Sequence, residues 1–148
     1  MKCLLETGIT VQEVNNTISQ YNTRATSKKG TQMITKGIRG ATTVESNSVQ
    51  DLQKATLELL NEMIIKNNID KINISHVIFT TTPDINAAFP AKFARIDLGW
   101  EEVAMMCFNE IDVPNALPMC LRILIVLNCE ENFKPQFVYL NATSNLRK

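Results

Sequence analysis

The chain has 148 residues, of which 45% are hydrophobic and 20% charged, and its 15 basic side chains balance its 15 acidic ones. This length and composition suit one globular domain and exclude a disordered chain. A formal net charge of zero also argues against a general nucleic-acid binder or a polybasic membrane-surface protein, since both need a basic face.

The first 32 residues differ in composition from the rest. They are rich in Thr, Asn, Ser and Gln, carry a formal charge of +2, and have no sustained apolar period. We expect residues 1–32 to form a mobile N-terminal extension, followed by a domain at 33–148. Two glutamates and a scarcity of arginine disfavour a transit peptide. The alternative is that translation naturally starts at Met33, so that the extension is an upstream-start artefact.

The first third of the 33–148 domain predicts one strand followed by one long helix. Residues 34–43 are expected to be extended, with two glycines that allow close backbone approach. A helix is predicted over 46–67, because its apolar residues recur on a single stripe. Ser48 suits its N-cap, and the pair Asn67-Asn68 can end it.

The remainder alternates short strands with short helices. A helix is predicted at 90–98, with Pro90 at its first position and Gly99 closing it. Strands are predicted at 77–82, 102–107, 120–128 and 136–140. A polar turn is predicted at 109–112 and a helical turn at 114–119. This alternation predicts a mixed α/β sandwich with the helices on one face of the sheet.

The sequence has one histidine, His76, and four cysteines, Cys3, Cys107, Cys120 and Cys129. No two cysteines form a C-x-x-C pair, so a Cys/His metal site would be hard to assemble. The apolar run near the N-terminus is too short for a signal peptide, and the longest apolar stretch, 121–127, is too short to span a bilayer. We therefore expect a soluble, cytoplasmic protein with no membrane partner.

Arg122 lies inside this apolar stretch, on the same strand face as Leu124 and Val126. A guanidinium cannot lose its proton to ease burial, so it needs a carboxylate, carbonyls or a bound anion. From this residue alone, an internal ion pair or a strand-end arginine that reaches water is slightly favoured over an anion site.

Glu110 and Arg39 are the other two residues of interest. Glu110 falls in the turn predicted at 109–112, where most glutamates are merely solvated, and Arg39 lies between glycines in the strand predicted at 34–43. With Arg122 they could form a small anion site with one acceptor, but spacing along the chain leaves open whether the three converge.

Five collinear segments resemble the monofunctional AroH-class chorismate mutases. They begin with Lys-Gly-Ile-Arg-Gly-Ala-Thr-Thr-Val-Glu at 36–45 and Thr-Pro-Asp-Ile-Asn-Ala-Ala-Phe-Pro-Ala-Lys at 82–92, the latter followed by Arg95 and Gly99-Trp100. Cys107 with Glu110 and Asp112, then Cys-Leu-Arg at 120–122, then Val-Tyr-Leu at 138–140 complete the set in the family's order. The resemblance covers nearly all of 33–147.

This resemblance implies the conversion of chorismate to prephenate, a Claisen rearrangement in the biosynthesis of the aromatic amino acids. The reaction is unimolecular and needs no metal or cofactor. The implied fold is α+β: a mixed β-sheet with two main helices on one face, three subunits of which assemble into a pseudo-α/β-barrel homotrimer with active sites at the subunit interfaces.

The resemblance also implies roles for individual residues. Arg122 would donate to the ether oxygen and to a carboxylate, Arg39 would bind a carboxylate, and Glu110 would accept from the substrate hydroxyl. Tyr139 would donate its hydroxyl to a carboxylate. The remaining implied substrate contacts are Phe89, Ala91, Lys92, Arg95, Met106, Cys107, Leu146 and Arg147.

Two departures and one alternative accompany this interpretation. Met106 stands where threonine is common in the family, and the tail that closes over the site is shorter. We expect the shorter tail to affect substrate capture and release more than bond breaking. The alternative function is a non-catalytic, trimeric small-anion-binding protein on a similar scaffold.

Overall fold

The computed structural model describes residue 12 and residues 32–145. The chain divides into two units, Met1–Gln32 and Met33–Lys148. The predicted mobile extension therefore lies almost wholly outside the described residues. Two of the predicted site residues, Leu146 and Arg147, lie outside them as well.

The second unit is built on a five-stranded mixed sheet of order β3-β2-β4-β1-β5. Its strands are β1 (Met33–Thr43), β2 (Ile74–Thr81), β3 (Ala104–Asn109), β4 (Cys120–Glu130) and β5 (Val138–Tyr139). The central β4 runs antiparallel to both β1 and β2, whereas β2 pairs with β3 and β1 with β5 in parallel. The predicted α+β class with a mixed sheet is thus confirmed.

The long helix α1 (Val49–Asn67) has the ends that the sequence predicts. The Ser48 side chain accepts a hydrogen bond of 3.1 Å from the Asp51 backbone N–H, which satisfies a donor that the first helical turn leaves free. Asn68 adopts the left-handed conformation, with φ of 48°, and its N–H bonds back to the last turn.

The short helix α2 (Pro90–Asp97) has proline at its first position, and Gly99 has φ of 63° shortly after its end. The second unit also has two short 3₁₀ helices, Lys71–Asn73 and Asn141–Asn145. No helix in this part of the chain is both long and apolar enough to cross a membrane.

Two predicted elements are shorter than expected. The helical turn at 114–119 is reduced to a turn in which the Ala116 N–H bonds to the Val113 carbonyl. The strand predicted at 136–140 is only Val138–Tyr139, because the buried Asn67 side chain takes both backbone groups of Gln136. Asn67 donates to its carbonyl at 2.9 Å and accepts from its N–H at 2.7 Å, so neither group joins the sheet.

The two faces of the sheet have different surroundings. One face packs against the helices in a single core, to which the strands contribute Ile38, Val77, Phe79, Leu121, Ile123, Ile125 and Leu127. The other face, here called the open face, consists of the alternate residues and is only partly buried. Its members include Arg39, Ile78, Thr80, Met106, Phe108, Arg122, Leu124 and Val126.

Candidate active site

A cavity of about 550 Å³ lies on the open face, over the middle strands of the sheet. Two guanidinium groups, one phenol and one hydroxyl border it, among apolar side chains and backbone. Its lining residues from β1 and β5 are Arg39, Gly40, Ala41 and Tyr139, and those from β2 and β4 are Ile78, Thr80, Arg122, Ile123 and Leu124.

Strand register brings the polar residues of this cavity together. Arg122 on β4 stands opposite Ala41 of β1 on one side and opposite Thr80 of β2 on the other. Tyr139 on β5 is also a register partner of Ala41. Directly opposed residues point to the same face of a sheet, so groups that lie far apart along the chain meet over one surface.

Glu110 follows directly after β3, and its side chain reaches Arg122, which lines this cavity. Its backbone N–H bonds to the Thr81 carbonyl at 2.9 Å, which ties it to the end of β2. One carboxylate oxygen, Oε2, pairs with Nη1 of Arg122, and the other, Oε1, accepts the hydroxyl of Thr80. The Glu110 side chain is 16% exposed and that of Arg122 is 31% exposed, so water screens this pair only partly.

The cavity carries an excess of positive charge. Burial, and then the nearby charge of Arg39, lower the pKa of Arg122. An arginine pKa starts so far above neutrality that the group stays protonated. Two guanidinium charges therefore line the cavity, and the Glu110 carboxylate pairs with one of them, Arg122. A small anion with carboxylate groups would complete the balance, since arginine offers several donors in a fixed fork.

The structure brings a second set of predicted site residues together elsewhere. Around the start of α2 lies a cavity of about 510 Å³. Five of the residues that line it were predicted to contact substrate: Phe89, Ala91, Lys92, Arg95 and Cys107. Cys107 is the register partner of Phe79, whose side chain is in the core, so it lies on the helix side of the sheet. Within one chain these residues are therefore separate from Arg122.

Three details describe this second cavity further. Phe89 is 74% exposed, an unusual state for so large an apolar side chain. Burial raises the pKa of Cys107, partly offset by a hydrogen bond from the Ala91 backbone. Met106, by contrast, lies on the open face and is 60% exposed, but it does not line the cavity of Arg122.

Sequence reasoning missed Thr80 as a site residue. The strand prediction at 77–82 included it, but only the pairing of β2 with β4 sets it opposite Arg122. It also missed Lys36, whose ammonium donates to the carbonyls of Glu131 and Phe133 and so holds the loop that leads to β5. Thr80 lies outside the five segments that carry the resemblance, and Lys36 opens the segment 36–45 without any pattern that indicates its contact with the loop.

The comparison with known proteins decides the family. A family model described as chorismate mutase type I matches residues 35–148. The chain belongs to the type I chorismate mutase family. The predictions of family, of function and of enzyme class, an isomerase, are thereby confirmed.

Individual relatives agree with this assignment. Chorismate mutase AroH of Bacillus subtilis (strain 168) is 35% identical over 116 residues, which cover 78% of this chain and 91% of that protein. Chorismate mutase AroH of Thermus thermophilus is 38% identical over 114 residues, covering 76% and 93%. The solved structure of a chorismate mutase from Clostridium thermocellum superposes with a TM-score of 0.70 at 43% identity, covering 74% of this chain and 97% of that one.

Proposed function

We propose that this chain rearranges chorismate to prephenate in the open-face cavity, with Arg122, Arg39 and Glu110 as its catalytic residues. The observation that carries the proposal is the convergence of two guanidinium groups and one phenol on a single cavity, with one carboxylate, that of Glu110, paired with Arg122 of this cavity. The substrate is a small dianion with one hydroxyl group, and these four side chains match its polar groups.

The reaction sets two physical demands on the site. The substrate must be held in the conformer whose reacting carbons face each other, which removes much of the entropic part of the barrier. Negative charge grows on the ether oxygen as its C–O bond breaks, and a fixed cation beside that oxygen stabilises the transition state more than the ground state.

Arg122 meets the second demand. Its Nη1 pairs with Glu110, and the guanidinium has further N–H groups that can donate to the ether oxygen and to a substrate carboxylate together. Arg39 and the Tyr139 hydroxyl hold carboxylate oxygens and so orient the substrate. Glu110, ionised, accepts the hydrogen bond of the substrate hydroxyl. No side chain has to move a proton.

We further propose a homotrimer in which each active site forms between two subunits. Two observations support it. Exposed apolar side chains, including Met106 and Phe108, lie on the open face beside the cavity. The α2 cavity holds Phe89, Lys92 and Arg95 on the other side of the sheet. A head-to-tail ring of three subunits would bring the α2 residues of one subunit against the open face of the next.

In that arrangement, Phe89 and Ala91 form an apolar wall, and Lys92 and Arg95 add positive potential at the mouth. Cys107 stays a predicted contact on the hydroxyl side of the substrate ring, and Met106 stays a predicted substrate contact. Leu146 and Arg147 stay predicted parts of the closing tail. A cytoplasmic location is supported by the three described cysteines, Cys107, Cys120 and Cys129, all of which are free thiols.

The test is the disappearance of chorismate with purified wild type and Arg122→Ala. Loss of a key donor to a developing oxyanion costs about 2.7–4 kcal/mol of transition-state stabilisation, so kcat/KM of the variant should fall by about two to three orders of magnitude. Equal turnover by both proteins would contradict the catalytic role. Binding of chorismate without turnover by wild type would instead favour the non-catalytic anion-binding protein.

A further inference from the structure

We propose that Thr80 is a positioning residue of this active site, which holds the Glu110 carboxylate in place when a substrate anion also binds Arg122. The proposal rests on the proposed function, since it assigns a task to Glu110. It concerns a residue that lies on a central strand and carries no charge.

The geometry around Glu110 is a three-sided anchor. The Thr80 hydroxyl donates to Oε1, Arg122 pairs with Oε2, and the Thr81 carbonyl accepts the Glu110 backbone N–H at 2.9 Å. Two consecutive residues of β2 thus fix both the backbone and the side chain of Glu110. The third anchor, Arg122, is the group that the reaction needs elsewhere.

Thr80 can hold Glu110 throughout the reaction, because the substrate needs Arg122 but does not need Thr80. When a substrate anion arrives, it competes with Glu110 for the guanidinium of Arg122. A carboxylate held by nothing else would move toward the cations, since Arg39 and Arg122 both attract it. It would occupy more of the N–H donors of Arg122. It would then block the donors intended for the ether oxygen. A neutral hydroxyl on a rigid strand keeps one oxygen away from the arginines, whatever Arg122 does.

A merely structural role makes a different prediction. Thr80 lies on β2 opposite Arg122 and Phe108, where a β-branched side chain suits the strand whether or not it carries a hydroxyl. If only shape matters, valine replaces threonine without loss. If the hydroxyl positions Glu110, serine keeps the function and valine does not.

The experiment compares Thr80→Val with Thr80→Ser, and adds Thr80→Ala in case valine perturbs the face. The matched control is Thr35→Val, since Thr35 is likewise a threonine of the open face, on β1, but donates to the neutral Asn128 side chain, at 3.2 Å. We expect kcat/KM for chorismate to fall at least about tenfold in Thr80→Val and Thr80→Ala, the scale for loss of a hydrogen bond to a charged group. Thr80→Ser and Thr35→Val should stay within about threefold of wild type, with thermal midpoints close to it.

A second measurement asks whether Thr80 acts through Glu110. The Kd for prephenate is measured without turnover in wild type, Thr80→Val, Glu110→Ala and the double variant. We expect Thr80→Val to weaken binding in the wild-type background and to have less than about a twofold effect in the Glu110→Ala background, since coupled residues are not additive. An equal effect in both backgrounds would overturn the proposal.

The outcomes separate this inference from the proposed function. Wild type that converts chorismate, together with a Thr80→Val variant that matches it, overturns the role of Thr80 and leaves the function intact. Wild type that fails to convert chorismate overturns the function, and the role of Thr80 with it.

Discussion

Arg122 and Glu110 form an ion pair that reaches across β2. Arg122 is on β4 and Glu110 follows β3, and these two strands are not neighbours in the sheet. The pair therefore joins two elements that share no backbone hydrogen bonds. It also means that each charge offsets the burial of the other, so removal of one leaves the other without its partner.

This relationship predicts that stability and activity will respond differently to paired substitutions. Arg122→Ala should lower the free energy of unfolding by about 1–3 kcal/mol, because Glu110 is left partly buried and unpaired. The double variant Arg122→Ala/Glu110→Ala should regain part of that loss while its activity stays low. Urea unfolding and the chorismate assay measure the two quantities. A double variant less stable than Arg122→Ala would contradict the prediction.

The proposed interfacial site predicts that two inactive subunits can rescue each other. Arg122→Ala damages the open-face half of each site, and Arg95→Ala damages the α2 half. In trimers mixed at equal amounts from co-expressed chains, about a quarter of the sites combine two intact halves, so about a quarter of wild-type activity should return. The control is a mixture assembled separately and combined after purification. Activity no greater than in that mixture, or a monomer in light scattering, would contradict the shared site.

The sequence was sufficient to predict most of the elements of the sheet and both main helices. Ser48 and Asn68 set the ends of α1 through local hydrogen bonds. Pro90 and Gly99 mark the ends of α2 through the φ angles that these residue types favour. Such signals act within a few residues, so they can be read along the chain. The N-terminal end of the strand predicted at 136–140 could not be read from the local sequence. Asn67, 69 residues away, takes the backbone groups of Gln136.

The site shows the same division. Arg122 on β4 stands out in the sequence because it interrupts an apolar strand. The sequence left three explanations open, which were an ion pair, a strand-end arginine that reaches water, and an anion site. The structure has both the pair with Glu110 and the cavity. That Glu110 converges on Arg122, and that Thr80 joins them, depends on the strand order β3-β2-β4, which no local pattern specifies.

In alkaline solution, we expect the free energy of unfolding to decrease because of Cys120. Burial, and then the charge of Asp84, raise its pKa from the ordinary value of 9.0 to about 11. Between these values the unfolded chain loses the thiol proton and the folded chain keeps it, so the free energy of unfolding falls as pH rises from about 9 to about 11. Cys120→Ala should show a smaller fall than wild type over this range. Urea unfolding at several pH values tests it, and parallel slopes for the two proteins would contradict it.

Gly40 lies in a close contact between β1 and α1. A Cβ atom at this position would lie 2.3 Å from the sulfur of Met63 and 3.1 Å from Cδ1 of Leu59. Gly40→Ala should therefore destabilise the fold by about 1–3 kcal/mol, the usual cost of overpacking a core. Met63→Val removes the clashing sulfur, so the double variant should be more stable than the two separate losses would give. Thermal and urea unfolding of all four proteins measure this coupling, and strict additivity would contradict the contact.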